Sequence, residues 1–188
     1  MLRGKIMVSI LLLFNVFTSS GQTKFFTKNG KIFFSASSSI EKIEATNEKA
    51  TSVIDISNGA IEFAVLMRAF IFEKDLMQEH FNENYIESDK YPKAVFKGNV
   101  IDMKSVDLNR NGTYPVKVKG MFTLHGETNE ILVDGSLTVL NGNITAGKSQ
   151  FKILLQNYKI EIPSVVKDKI SKEVQINVEL NYQPYKTS

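Results

Sequence analysis

From Lys31 onward the chain mostly alternates apolar and polar positions with a period of two. Ile61, Phe63, Val65 and Met67 alternate with Glu62, Ala64, Leu66 and Arg68. Successive strand side chains point to opposite faces, so the first set shares one face. Val116, Val118, Gly120 and Phe122 repeat the pattern, with Lys117 and Lys119 opposite. Ile131, Val133, Gly135, Leu137 and Val139 repeat it again, and Phe151, Ile153 and Leu155 follow. The run Val174, Ile176, Val178, Leu180, Tyr182 is the cleanest alternation of all. KIFFSASSS (31–39) starts the first strand, Val53 to Ile56 is strand-like, and Ala94 to Lys104 resumes a strand. Asn58-Gly59 and Asn141-Gly142 are hairpin signals, because both central residues of the favoured two-residue turn need positive φ. EKIEATNEKA (41–50) lacks the alternation and is expected to be a loop or a short helix.

The pattern gives about eight strands joined by hairpins, each with one apolar and one wet face, which suits an antiparallel sheet. Closing that sheet into a barrel removes its edges and encloses the apolar set. The expected fold is therefore all-β, an eight-stranded antiparallel barrel. A two-sheet sandwich has the same periodicity and is the rival architecture. Gly120 and Gly135 fall on the inward face, where they either bend the sheet, make room for a ligand or relieve crowding.

One stretch breaks the pattern. FIFEKDLMQEHFNENYIESDKYP (70–92) is acidic, aromatic and locally helical. Its spacing predicts a short amphipathic helix over 73–81, with Leu76 and Met77 on the same side as His80 and Phe81. Asn82 or Asn84 can end the helix, and Tyr85, Ile86 and Tyr91 can anchor the following loop. Such an insert is either a lid over a cavity or a polar site.

The N-terminus reads as a targeting signal over residues 1–21. It has Arg3 and Lys5, an apolar run from Ile6 to Phe17, and small residues at Ser19-Ser20-Gly21. The run is shorter than the roughly 20 residues of a membrane span; an uncleaved anchor is the alternative. Cleavage would leave residues 22–188 as one domain, exported to the periplasm or secreted. No cysteine occurs, which rules out disulfides, thiolate metal sites and a lipoprotein anchor. The formal charge is +3; removing Arg3 and Lys5 with the leader leaves about +1, and the lysines are scattered, unlike a nucleic-acid binder. No further long apolar stretch predicts a membrane-spanning helix.

Two segments carry a family resemblance. LMQEHFNENYIESDKYPKAVFKG (76–98) and VKGMFTLHGETNEI (118–131) resemble, in order and spacing, the hallmark segments of the YceI-like family. The resemblance covers nearly the whole chain after the leader. It implies a lipocalin-like barrel with an elongated apolar tunnel, export, and binding of polyisoprenoids, including isoprenoid quinones or their precursors. Many members place an arginine-aspartate pair shortly before the helix histidine. Here FEKDLMQEHF offers Asp75 and His80 without an adjacent arginine.

The inward positions then become candidate ligand contacts: Phe63, Val65, Met67, Phe96, Phe122, Val133, Leu137, Ile153, Val178 and Leu180 from strands, with Phe72, Leu76, Met77 and Phe81 from the insert. The other reading of the same set is a solid barrel core. His80 either holds the insert to the rim or meets a polar head group. Arg68 either replaces the missing positive charge at that head group or is an outward surface residue. His125, in a tight LHGET turn, is expected to be structural.

Other chemistry has weaker support in the residues. GNITAGKS (142–149) matches the phosphate-loop pattern, but a hairpin signal precedes it and a strand pattern follows, so backbone N–H groups would not converge. His80 and His125 with Glu79 or Glu127 lack compact metal-ligand spacing. No G-x-S-x-G is present, and no carboxylate pair is placed inward. The expected function is non-enzymatic binding, transport or sequestration of an isoprenoid lipid or quinone, without metal or other cofactor. The rivals are a filled-core interaction module and a metal- or carboxylate-dependent enzyme. The sequence leaves a homodimer open.

Overall fold

The structure, a computed structural model, describes residues 23–37, 42–162 and 170–185. The leader expected over 1–21 and Pro163 lie outside the described residues. Eight long strands follow the alternation: β1 (Lys24–Ser37), β2 (Glu44–Asp55), β3 (Ala60–Leu66), β5 (Lys93–Ile101), β6 (Gly112–Leu124), β7 (Glu127–Leu140), β8 (Asn143–Leu154) and β9 (Ile170–Asn181). Two short bridges, β4 (Ile71–Phe72) and β10 (Gln183–Pro184), add to the rims. Every pairing is antiparallel, and β1 pairs with both β2 and β9, so the ring closes. The result is a closed eight-stranded antiparallel barrel, not a sandwich.

Both hairpin signals fall in hairpin turns, but of different kinds. Asn141 and Gly142 have φ of 51° and 75°, and His125 and Gly126 in the β6–β7 turn have 51° and 77°, the double positive φ that a two-residue turn between twisted strands requires. The β2–β3 turn is longer, spanning 56–59, and there Gly59 has a φ of 75° while Asn58 is not left-handed. The wet face carries cross-strand ion pairs, including Lys97–Glu62, Lys117–Asp134 and Lys148–Glu179. Exposed pairs of this kind contribute at most about 1 kcal/mol each. They account for lysine alternating with apolar residues. The phosphate-loop pattern lies entirely in the β7–β8 turn and β8, where the chain is extended.

Residues 44–50 correct the sequence reading. From Glu44 on, the polar segment is not a loop or helix but the first half of β2, which pairs with β1 from Lys24↔Asp55 to Ser35↔Glu44. Its inward positions are small or polar: Ala45, Asn47, Ala50 and Ser52, all 3% exposed or less. Asn47 Nδ2 donates to the Leu66 carbonyl at 2.9 Å, and its Oδ1 accepts from Lys49 N–H at 2.8 Å. A buried amide with both ends satisfied loses little by burial. Polar residues therefore stand where the pattern expects apolar ones.

One seam is short. β7 and β8 pair only from Gly135↔Ser149 to Leu140↔Asn143. Ser149 Oγ donates to the Asp134 carbonyl at 2.7 Å where the ladder ends. Beyond it, Asn129 Nδ2 donates to the Asn157 carbonyl at 2.8 Å, tying β7 to the 3₁₀ turn Leu155–Tyr158.

The interior divides into two apolar clusters. One lies towards the insert and includes Phe70, Phe72, Phe81, Phe96 and Phe122. The other lies towards the Asn58-Gly59 and Asn141-Gly142 turns and includes Phe25, Ile54, Val139, Ile144, Leu180 and Tyr182.

Candidate functional site: a blind apolar cavity

Between these clusters the barrel encloses a cavity of about 570 Å³. The interior is therefore not filled by side chains. Phe63, Val65, Met67, Phe96, Phe122, Val133, Leu137, Ile153, Val178 and Leu180 all line it from the barrel wall. Phe72, Leu76, Met77, His80 and Phe81 line it from the insert. Further lining comes from Phe70 and Ile86 of the insert, from Ile131 and Ile176 on the inward faces of the alternation, and from Phe34, whose strand face the sequence did not assign.

Arg68 departs from this set. Its side chain is exposed and ion-paired to Asp89 on the outside, away from the cavity lining. Arg68 lies past the end of β3, in the 3₁₀ turn Met67–Ala69, which buries Met67 and leaves Arg68 outside.

The insert forms the cavity's cap. It consists of α1 (Asp75–His80), shorter than the helix expected over 73–81, followed by a wider π turn over Phe81–Tyr85. Phe81 is the insert's apolar anchor, with its ring 5.6 Å from Phe34, 5.7 Å from Phe70 and 5.0 Å from Phe72. Leu76 and His80, four residues apart, share a side as expected, but both are exposed. That side is the rim, where Lys74, Leu76 and His80 bring the cavity lining to the surface.

The insert's far end is clamped by His125. Its Nδ1 lies 3.0 Å from the Tyr158 carbonyl and its Nε2 lies 2.8 Å from Glu87 Oε2. Both partners are acceptors, so the ring ties the insert to the β6–β7 turn and to the turn after β8. Tyr91 packs edge-on to the same ring at 4.5 Å. A Cβ on Gly126 would lie 2.7 Å from the Tyr91 ring, so that contact requires glycine. His125 is held by structural partners and does not line the cavity. Among the described residues no group of three or more histidine and carboxylate side chains could hold a metal ion.

The opposite end is closed by Tyr182. Ser52 Oγ donates to the Glu62 carbonyl at 2.9 Å, so its single proton is committed. Tyr182 Oη, 2.8 Å from Ser52 Oγ, must then be the donor. Burial pushes the Tyr182 hydroxyl pKa up to about 12. An unfolded tyrosine titrates near 10. The folded state thus holds its proton where the unfolded state has lost it, and stability falls as pH rises. The contribution is full below about pH 10 and is lost by about pH 12, roughly 2–3 kcal/mol in all. Tyr182→Phe should lose about 1 kcal/mol at neutral pH and show a shallower decline between about pH 10 and 12. Urea unfolding across that range reads this, and parallel declines in the two proteins would contradict it.

A closed antiparallel barrel around an apolar cavity, capped by a short helix, defines the lipocalin-like class of barrel. The YceI-like domain model matches residues 20–182, and the chain belongs to that family. Among solved structures, a polyisoprenoid binding domain from Saccharophagus degradans implicated in plant cell wall breakdown is similar. It has a TM-score of 0.73 and 16% identity, over 87% of this chain and 99% of that one. BcnA of Burkholderia cenocepacia matches at TM-score 0.63 and 14% identity, over 80% of this chain and 94% of that one. A YceI protein from Campylobacter jejuni matches at 0.55 and 14%, over 99% and 94%. No curated protein matches the chain.

Proposed function

We propose that this protein binds and carries, or sequesters, an isoprenoid lipid or isoprenoid quinone, without chemically changing it. The carrying observation is the cavity: about 570 Å³, lined almost wholly by aromatic, aliphatic and methionine side chains. Burial of an apolar chain there is favourable by roughly 0.8 kcal/mol per methylene-sized group, so affinity needs length and no reactive group. Methionines 67 and 77 can repack around branches. The polar side chains Lys74 and His80 sit at the rim, so a ligand enters with its apolar end first and keeps its head group there. The Saccharophagus degradans domain named for polyisoprenoid binding shares the fold. The leader pattern over residues 1–21 supports action outside the cytoplasm, in the periplasm or secreted.

The test is organic extraction of protein purified from its native host, followed by lipid mass spectrometry. A near-stoichiometric isoprenoid is expected. Protein that yields none, and that also takes up no added prenyl lipid, would refute the reading.

A further inference from the structure

The cavity has one closed end, and its depth is fixed by side chains that belong to a packed core. Leu137, Leu180 and Tyr182 both line the cavity and belong to the second apolar cluster. Behind them Phe25, Ile54, Val139 and Ile144 are at most 1% exposed and do not line it. The Tyr182–Ser52–Glu62 hydrogen-bond chain fixes the Tyr182 hydroxyl in that floor. Gly30 underlies Leu180 so closely that a Cβ there would come within 2.6 Å of Leu180 Cδ2. A chain entering from the rim therefore meets a floor that cannot recede without opening a cavity in close-packed core.

Volume then sets length. An apolar cavity of about 150 Å³ holds one benzene, so about 570 Å³ takes roughly 23 carbons, or four to five isoprene units. We propose that the barrel measures prenyl chain length, housing about four to five isoprene units and leaving any further units outside at the rim. This rests on the apolar-chain reading above and adds a limit that reading does not contain. Units beyond the limit stay in water or on the outer surface and add little affinity.

The experiment uses the full-length mature protein and all-trans prenyl alcohols of graded length, from two to nine units, delivered as cyclodextrin complexes. Bound alcohol is counted by native mass spectrometry. Affinity should rise at least about tenfold per unit up to four units, and change by less than about threefold between five and nine. Val178→Phe, which fills the cavity just above the floor where Val178 packs on both clusters, should move the plateau down by about one unit. The wild-type series stands alone if that variant does not fold. Affinity that keeps rising from five to nine units, or that is equal at every length, overturns the length limit while leaving lipid binding intact. No binding at any length instead overturns the lipid-binding reading on which it rests.

Discussion

Gly120→Ala is expected to destabilise the barrel by about 3 kcal/mol or more, the upper end of what overpacking costs. Gly120 on β6 pairs directly with Gly98 on β5. A Cβ at Gly120 would sit 2.5 Å from Gly98 Cα and 2.7 Å from Phe96 Cζ, and would press on the Lys97 carbonyl oxygen as well. Two of these three are backbone atoms, so a rotamer change cannot relieve them. The Phe96 ring lies across the glycine pair and lines the cavity, so displacing it should also reduce lipid uptake. In a domain of this size each 1 kcal/mol lowers Tm by about 2–4 °C, so a drop of roughly 6–12 °C is expected. Thermal and urea unfolding read it. A loss under about 1 kcal/mol would mean the two strands separate freely at this crossing.

Gly120 also shows where sequence reasoning reaches its limit. Its place on the inward face was legible from Val116, Val118 and Phe122. Its purpose was not, because the crowding comes from a strand some twenty residues earlier in the chain. Gly135, on the next strand, lines the cavity instead. The barrel itself was legible because most inward positions are large and apolar. The first half of β2 was not, because Ala45 and Ala50 give no hydrophobic signal and Asn47 and Ser52 invert it. Their hydrogen bonds, Asn47 with the Leu66 carbonyl and the Lys49 N–H and Ser52 with the Glu62 carbonyl and the Tyr182 hydroxyl, make those polar residues tolerable inside. The cavity wall followed from periodicity, but the cavity's emptiness did not, since the same residues could have met at the centre. Arg68 left two readings open, a head-group charge or an outward surface residue, and its exposed ion pair with Asp89 is the second; the 3₁₀ turn that carries it outward has no signature in the alternation. The floor was half legible: Tyr182 ended the cleanest strand, while the hydrogen bond to Ser52 that closes the barrel joins residues far apart in the chain.

The cap poses a separate question, whether the insert is fastened by its helix or by one side chain. The helix has only six residues, and none of its own residues is buried. A helix so short has little stability of its own. What holds it is Phe81, at the junction of α1 and the π turn, 9% exposed and in ring contact with Phe34 of β1, Phe70, and Phe72 of β4. Phe81→Ala should therefore cost about 3–4 kcal/mol, from lost burial, the space left behind and the aromatic pairings. Its larger consequence is kinetic. With the anchor gone the insert lifts from the rim at lower cost, and transfer of a bound prenyl lipid to acceptor vesicles should accelerate at least about tenfold, the ratio that 1.4 kcal/mol of easier opening gives. Leu76→Ala is the control, because Leu76 lines the same cavity yet is 60% exposed and should cost under about 0.5 kcal/mol. Unfolding curves and transfer rates for the two variants decide between the alternatives. Equal effects from both would show that the cap is held by its rim-facing helix side chains. A large loss at Phe81 alone makes this ring the fastening of the lid's helical end, with His125 holding the far end, and makes it the control point for lipid release at the rim.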